Sequence, residues 1–306
     1  MEIQENFKYG GWQNCIRLTS GEVEIVITTD VGPRIMRFAF IGDQNLFGEI
    51  KEQQGKTGGN EWLLYGGHRL WHAPEATPRT YFPDNSPMDY KWDGKTLKLI
   101  QDTEDTTGIQ KEIEITQGSG NNNIRVLHRL INKNLWDVEI SPWALSVMAK
   151  NGRTIIPQEP YRTGGGSLLP VRPLVLWPYT RMGDPRFIWG SRFIQVQQDP
   201  EAKTYQKIGV LNTLGWTAYY LNGQLFIKRY GFDPEACYPD FGANTEVYTN
   251  PDILEIETLG GLKKLPPEES VEHVENWFLF KAELDGDEES LENKLIPILK
   301  KTEGEL

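Results

Sequence analysis

The apolar pattern of this 306-residue chain predicts an all-β protein, a large antiparallel sandwich with one short C-terminal helix. In Asn123–Asn132, Ile124, Val126, His128 and Leu130 fall on one face and Arg125, Leu127, Arg129 and Ile131 on the other, the two-residue period of a pleated strand. Asn222-Gly223, between residues 217–221 and 224–228, tolerates positive φ at both centres of a type I′ turn and so predicts a hairpin. Helical spacing is confined to the end, where Leu291, Leu295, Ile298 and Leu299 recur on one face.

The remaining elements follow in order. Residues 22–29, Arg34–Phe40, 109–115 and Leu254–Leu259 are β-branched or alternating and bounded by turn formers, so each reads as a strand. Residues 58–60 and 77–90 read as long loops over one end of the sandwich. Asp287 is the expected N-cap of the terminal helix. Pro297 lacks the N–H that bonds four residues back, which predicts a helix lying mainly before Ile296 and packed on a sheet edge. No repeat or linker divides the chain, so residues 1–306 are expected to form a single domain, with 286–306 as helix and tail.

Composition narrows the function. With 38% hydrophobic and 25% charged residues the chain can offset its conformational entropy by burial, which excludes wholesale disorder. Asp+Glu at 43 against Lys+Arg at 32 gives a net charge of −11, and the cations are scattered, which argues against nucleic acid. No apolar run is long enough to span a membrane, and the first residues lack the pattern of a secretory signal, so a cytoplasmic location is expected. Cys15 and Cys237 are expected to be free thiols.

Residues 65–75 hold two of the four histidines. His68 and His72 stand four apart, as in a zinc-binding helix, but Arg69 occupies the place of the usual glutamate, and Gly66, Gly67 and Pro74 leave little room for a helix. On a strand the two rings lie about 13 Å apart, too far for one ion, so no metal and no other cofactor is expected. A polar cleft suits the segment better, with His68, Arg69, His72 and Glu75 as hydrogen-bonding groups and Trp71 as an aromatic platform. Such a mixture fits sugars; the plainer alternative makes His68 a satisfied core imidazole and Trp71 part of the core.

A second group comprises Lys228, Arg229, Asp240, Glu246, Glu255 and Glu257. Alternation gives Leu254 and Ile256 to the core and both glutamates to the opposite face, about 7 Å apart. That is within the range of paired glycosidase carboxylates, yet they point in parallel, so a solvated face is the default for at least one. His128, flanked by Ile124, Val126 and Leu130, reads as a buried, hydrogen-bonded histidine.

Residues 31–37, Asn45 to Phe47, Gly66-Gly-His-Arg-Leu-Trp-His-Ala-Pro-Glu75, Glu255-Ile-Glu257-Thr258 and 270–277 together resemble the galactose mutarotase-like superfamily, in an uncharacterised bacterial branch. The resemblance implies a β-supersandwich that binds sugar in a cleft on one sheet. It also implies Glu257 as the base that takes the anomeric proton and His68 as an early substrate-contacting residue, with His72 or His128 as candidates for the missing acid. The family's mid-chain catalytic histidine has no counterpart in residues 138–147, where Trp143 stands. The expected function is therefore carbohydrate binding, with aldose 1-epimerase-like isomerase activity as its catalytic form. Trp71, Arg69, Glu75, Trp143, Lys228, Asp240 and Glu246 are the expected sugar contacts, and a small sugar or an oligosaccharide is the expected partner. The alternatives are a non-catalytic recognition module, or a hydrolase or lyase pairing Arg69, Lys228 and Arg229 with an acidic oligosaccharide.

Overall fold

The structure is a computed structural model and describes residues 1–120, 122–163 and 169–304. Two antiparallel sheets pack face to face, as the sandwich expectation required. The front sheet runs from the edge strand Glu2–Tyr9 through His68–Ala73, Val138–Met148, Leu254–Leu259, Thr245–Thr249 and Gln206–Val210 to Leu174–Leu176. The back sheet runs from Phe187–Trp189 through Gln224–Tyr230, Ser270–Lys281 and Asn123–Asn132 to Asp89–Trp92. Between them lies the main core, centred on Phe38, Phe47, Phe226 and Trp277, whose ring centroids stand 5.4–6.3 Å apart.

The local signals act as expected where side-chain sterics alone decide. Asn222 (φ 47°) and Gly223 (φ 75°) make the hairpin turn, so Leu221 pairs with Gln224 and Tyr220 with Leu225. Asn123–Asn132 is a strand throughout, with His128 fully buried. Cys15 is buried and Cys237 exposed, both free.

The C-terminal helix departs from expectation in two respects. Asp287 caps it, accepting from the Ser290 amide at 2.8 Å, but helical structure runs on to Lys300. A π-turn over Leu291–Leu295 precedes Pro297, which then falls in the first turn of Ile296–Lys300, where its missing N–H is tolerated. The helix also covers the outer face of the back sheet instead of an edge. Leu291, Leu295 and Leu299 pack with Trp216, Leu225, Ile227 and Phe278, each leucine contributing roughly 1.5–3 kcal/mol by burial. Residues 305–306 of the expected tail lie outside the described residues.

Candidate functional site

Strand register assembles the site. Across the front sheet Trp71 opposes Trp143, Arg69 opposes Leu145, Leu145 opposes Glu257, Glu257 opposes Glu246, and Tyr248 opposes both Glu255 and Lys207. Directly opposed residues share a face, so these side chains all leave the sheet on the side away from the core. There all of them but Glu246 line a cleft of about 320 Å³, together with Trp62, Glu75, Tyr81 and Tyr179. Trp62 follows the loop expected at 58–60, and Tyr81 belongs to the 3-10 turn Arg79–Tyr81 inside the loop expected at 77–90.

The walls are aromatic and the floor is ionic. Trp71 stacks edge-on against Trp143 at 5.3 Å and Tyr81 at 5.2 Å, while Trp62 closes over both Trp71 and Tyr81. The Arg69 guanidinium lies 4.3 Å from the Trp71 ring and 5.3 Å from Trp62, and its Nη2 donates to Glu255 Oε1 at 3.1 Å. Nε and Nη1 of Arg69 and Nε1 of Trp62 are buried donors with no partner among the described residues. At the other end Glu257 Oε2 accepts from Trp143 Nε1 and from Lys207 Nζ, both at 2.9 Å. Lys207 Nζ also lies 2.7 Å from Glu246 Oε2, between the rings of Trp143 and Trp177.

Burial and pairing set the charges. Burial works against the Lys207 ammonium, but Glu257 and Glu246 outweigh it and hold its pKa well above the ordinary lysine value. Burial, reinforced by the charge of Glu257, pushes Glu246 well above the carboxylate range despite Lys207. Burial likewise raises Glu255 against the pull of Arg69. One lysine thus stands between two carboxylates.

Of the residues singled out in the sequence, Arg69, Trp71, Glu75, Trp143, Glu255 and Glu257 line the cleft, and Glu246 lies beneath Lys207, fully buried. The Tyr81 hydroxyl donates to Glu75 at the rim. His68 and His72 alternate with Arg69 and Trp71 and therefore point the other way, into the space between the sheets. Neither reaches the cleft. His72 Nε2 lies 3.6 Å from Glu104, whose carboxyl is held at about 2 because Lys111, His72 and Thr107 overcome its burial. Lys228 belongs to the back sheet, buried against Glu275 at 2.9 Å, and Arg229 holds the Leu299 carbonyl of the terminal helix. Asp240 stands in the turn Pro239–Gly242, outside the cleft. The cations proposed to pair with an acidic oligosaccharide therefore do not converge.

His68, His128 and Glu275 bring ligand atoms within 4.8 Å of one another. They do not fit an ion. Lys228 already neutralises Glu275, and His68 Nε2 meets His128 Nε2 directly at 2.7 Å. The bonding fixes the tautomers: His128 Nδ1 donates to the His273 carbonyl, so its Nε2 accepts from His68 Nε2, and His68 Nδ1 accepts from Ser146. These imidazoles are neutral structural groups.

Sequence reading missed Lys207, Trp62, Trp177, Tyr179 and Tyr248. Lys207 sits in the short strand Gln206–Val210 with no local sign of burial, because its partners come from two other strands.

No protein-family model and no curated protein matches the sequence. Solved structures do match. A candidate aldose 1-epimerase from Klebsiella pneumoniae subsp. pneumoniae superposes with a TM-score of 0.61 at 12% identity, over 99% of this chain and 88% of the other. A galactose mutarotase-like protein from Lactobacillus casei gives 0.55 at 9% identity, over 87% and 100%. A second candidate aldose 1-epimerase, from Escherichia coli K12, gives 0.51 at 11%, over 87% and 98%. At these identities the likeness is one of fold.

Proposed function

We propose that this chain, whose fold is that of the galactose mutarotase-like proteins, binds a neutral sugar in the Trp71–Trp143–Glu257 cleft. The observation that carries the reading is the set of unpartnered buried donors of Arg69 and Trp62 beside aromatic faces. Buried N–H groups need acceptors, and sugar hydroxyl oxygens supply them while the C–H faces of a pyranose pack on indole rings. Arg69 and Lys207 are each paired with carboxylates, which favours an uncharged ligand over a uronate or a phosphate.

Ring-opening isomerisation of an aldose is the second reading, favoured by the Glu257–Lys207 contact. Glu257 would take the proton of the anomeric hydroxyl as the bond from C1 to the ring oxygen breaks, and Lys207 would give that oxygen a proton. Two carboxylates keep Lys207 a weak acid, and for that reason binding is the leading reading.

Titration of neutral hexoses, uronic acids and hexose phosphates, followed by tryptophan fluorescence, tests the proposal. Saturable binding of a neutral sugar, lost in Trp71→Ala, is expected; no saturable response to any sugar would overturn it. Anomer exchange measured by NMR in the same samples separates the readings. Exchange above the buffer rate that disappears in Glu257→Gln establishes the isomerase; the buffer rate alone leaves recognition.

A further inference from the structure

We infer that the cleft continues into a groove that receives further sugar units, so that the ligand is a neutral oligosaccharide and not a single ring; this rests on the carbohydrate reading above. A second hollow, of about 910 Å³, adjoins the first and shares with it the walls Leu64, Asn250 and Ile253. The two meet where Asn250 Nδ2 donates to the Tyr248 hydroxyl at 3.2 Å. Both lie along one strand and its end: Trp143 and Leu145 of Val138–Met148 line the first hollow, and Met148, with Ala149 and Lys150 just beyond the strand, lines the second. At the rise of a strand, Trp143 to Met148 alone spans roughly 17 Å, more than one pyranose ring occupies.

The far wall of this second hollow is built and not loose. Residues 45–50 are tied to the floor by paired bridges, Phe47 with Met148 and Glu49 with Gly66, and by the Gly48 amide donating to the Val147 carbonyl at 2.9 Å. Gly48 is needed there, because a Cβ would stand 2.7 Å from the Met148 carbonyl oxygen. The Asn45 side chain accepts from the Phe38 and Phe47 amides and fixes the turn.

The lining chooses the ligand. Glu49, Lys51, Glu52, Lys150 and Asp252 supply both donors and acceptors, the pattern that hydroxyl-rich chains satisfy. Acids outnumber bases among them, and Lys150 is paired with Asp252 at 3.1 Å, so an anionic glycan is disfavoured. Exposed large apolar side chains such as Leu169, Leu174, Ile188 and Trp189 lie elsewhere among the described residues, so this hollow lacks the apolar anchors a protein partner uses.

The test compares glucose and galactose with their neutral α- and β-linked di-, tri- and tetrasaccharides by calorimetry, on the wild type and on the double variant Lys150→Ala/Asp252→Ala. Both side chains are well exposed, so the variant is expected to fold. At least one oligosaccharide series binds at least roughly tenfold tighter than its monosaccharide, and the double variant removes most of that gain while leaving monosaccharide affinity within about twofold. Equal affinity for monomer and oligomers overturns the groove and leaves the single-sugar cleft standing. A gain with length that the double variant does not diminish also overturns it, since the extra units then bind elsewhere. No binding by any sugar removes both readings together.

Discussion

The indole N–H of Trp143 donates to Glu257 Oε2 across 2.9 Å, and so fixes a nearly buried carboxylate from the neighbouring strand. The ring is at once a wall of the cleft and the clamp on its central acid. Trp143→Phe keeps most of the wall and removes the donor. A hydrogen bond to a charged group contributes about 1.5–3 kcal/mol, and stability measured by urea unfolding is expected to fall by that order. Sugar affinity is expected to fall several-fold as well, because the carboxylate is then held by Lys207 alone. Unchanged affinity and stability would show that the indole acts only as packing.

Lys207 separates two acids that would otherwise face each other across paired strands. Lys207→Met leaves Glu246 and Glu257 buried without their cation, a loss that costs about 3–5 kcal/mol. Adding Glu246→Gln removes one of the two acids then left facing each other, and the double variant is expected to regain a substantial part of that loss. Simple additivity of the two substitutions in chemical denaturation would refute coupling through the lysine.

What the sequence disclosed follows from how apolar and polar residues divide between the two faces of each strand. Leu254–Leu259 alternates visibly because one face is core and the other bears Glu255 and Glu257, so both acids could be assigned together. His68–Ala73 is buried on both sides, and its two faces, one with histidines and one with Arg69 and Trp71, look equally polar. The alternation put His68 and His72 on one face without saying which face was core. Lys228 and Lys207 pose the same problem, since a buried lysine is identified by acids that only the folded register brings near. The helix end differs from expectation for a local reason: Pro297 would interrupt a regular α-helix, and the π-turn before it changes which N–H groups the helix needs.

Docking of the terminal helix supplies a separate test of the fold. Leu295 is fully buried against the outer face of the back sheet. Leu295→Ala is expected to cost about 2–4 kcal/mol, through lost burial and the cavity left behind. The cleft lies on the other sheet, so sugar affinity is expected to stay within about twofold. A stability change below about 1 kcal/mol would mean that the helix does not pack as described.

All four histidines are buried, and burial lowers the pKa of each, His273 to about 3. For a group whose folded pKa is depressed, the unfolded chain binds the proton first. The stability is complete above the unfolded value near 6.5 and is lost as pH falls through that value towards the folded one. Each histidine that protonates only on unfolding contributes a slope of about 1.4 kcal/mol per pH unit. His273, held at about 3, and His68, held well below its ordinary value, set the loss on acidification, while Glu246 and Glu255, whose carboxyls are raised, oppose it by taking protons first in the folded state; Glu104, held at about 2, adds its loss only further down. Urea unfolding across pH 7.5 to 4.5 is therefore expected to show a histidine-dependent loss of stability below 6.5. His128→Gln offers the His68 ring a neutral amide partner and does not titrate, so its curve is expected to be shallower by one histidine's share. A His128→Gln curve no shallower than the wild type's would mean that this ring accepts its proton in the folded protein, against the neutral chain of Ser146, His68 and His128 that their bonding defines.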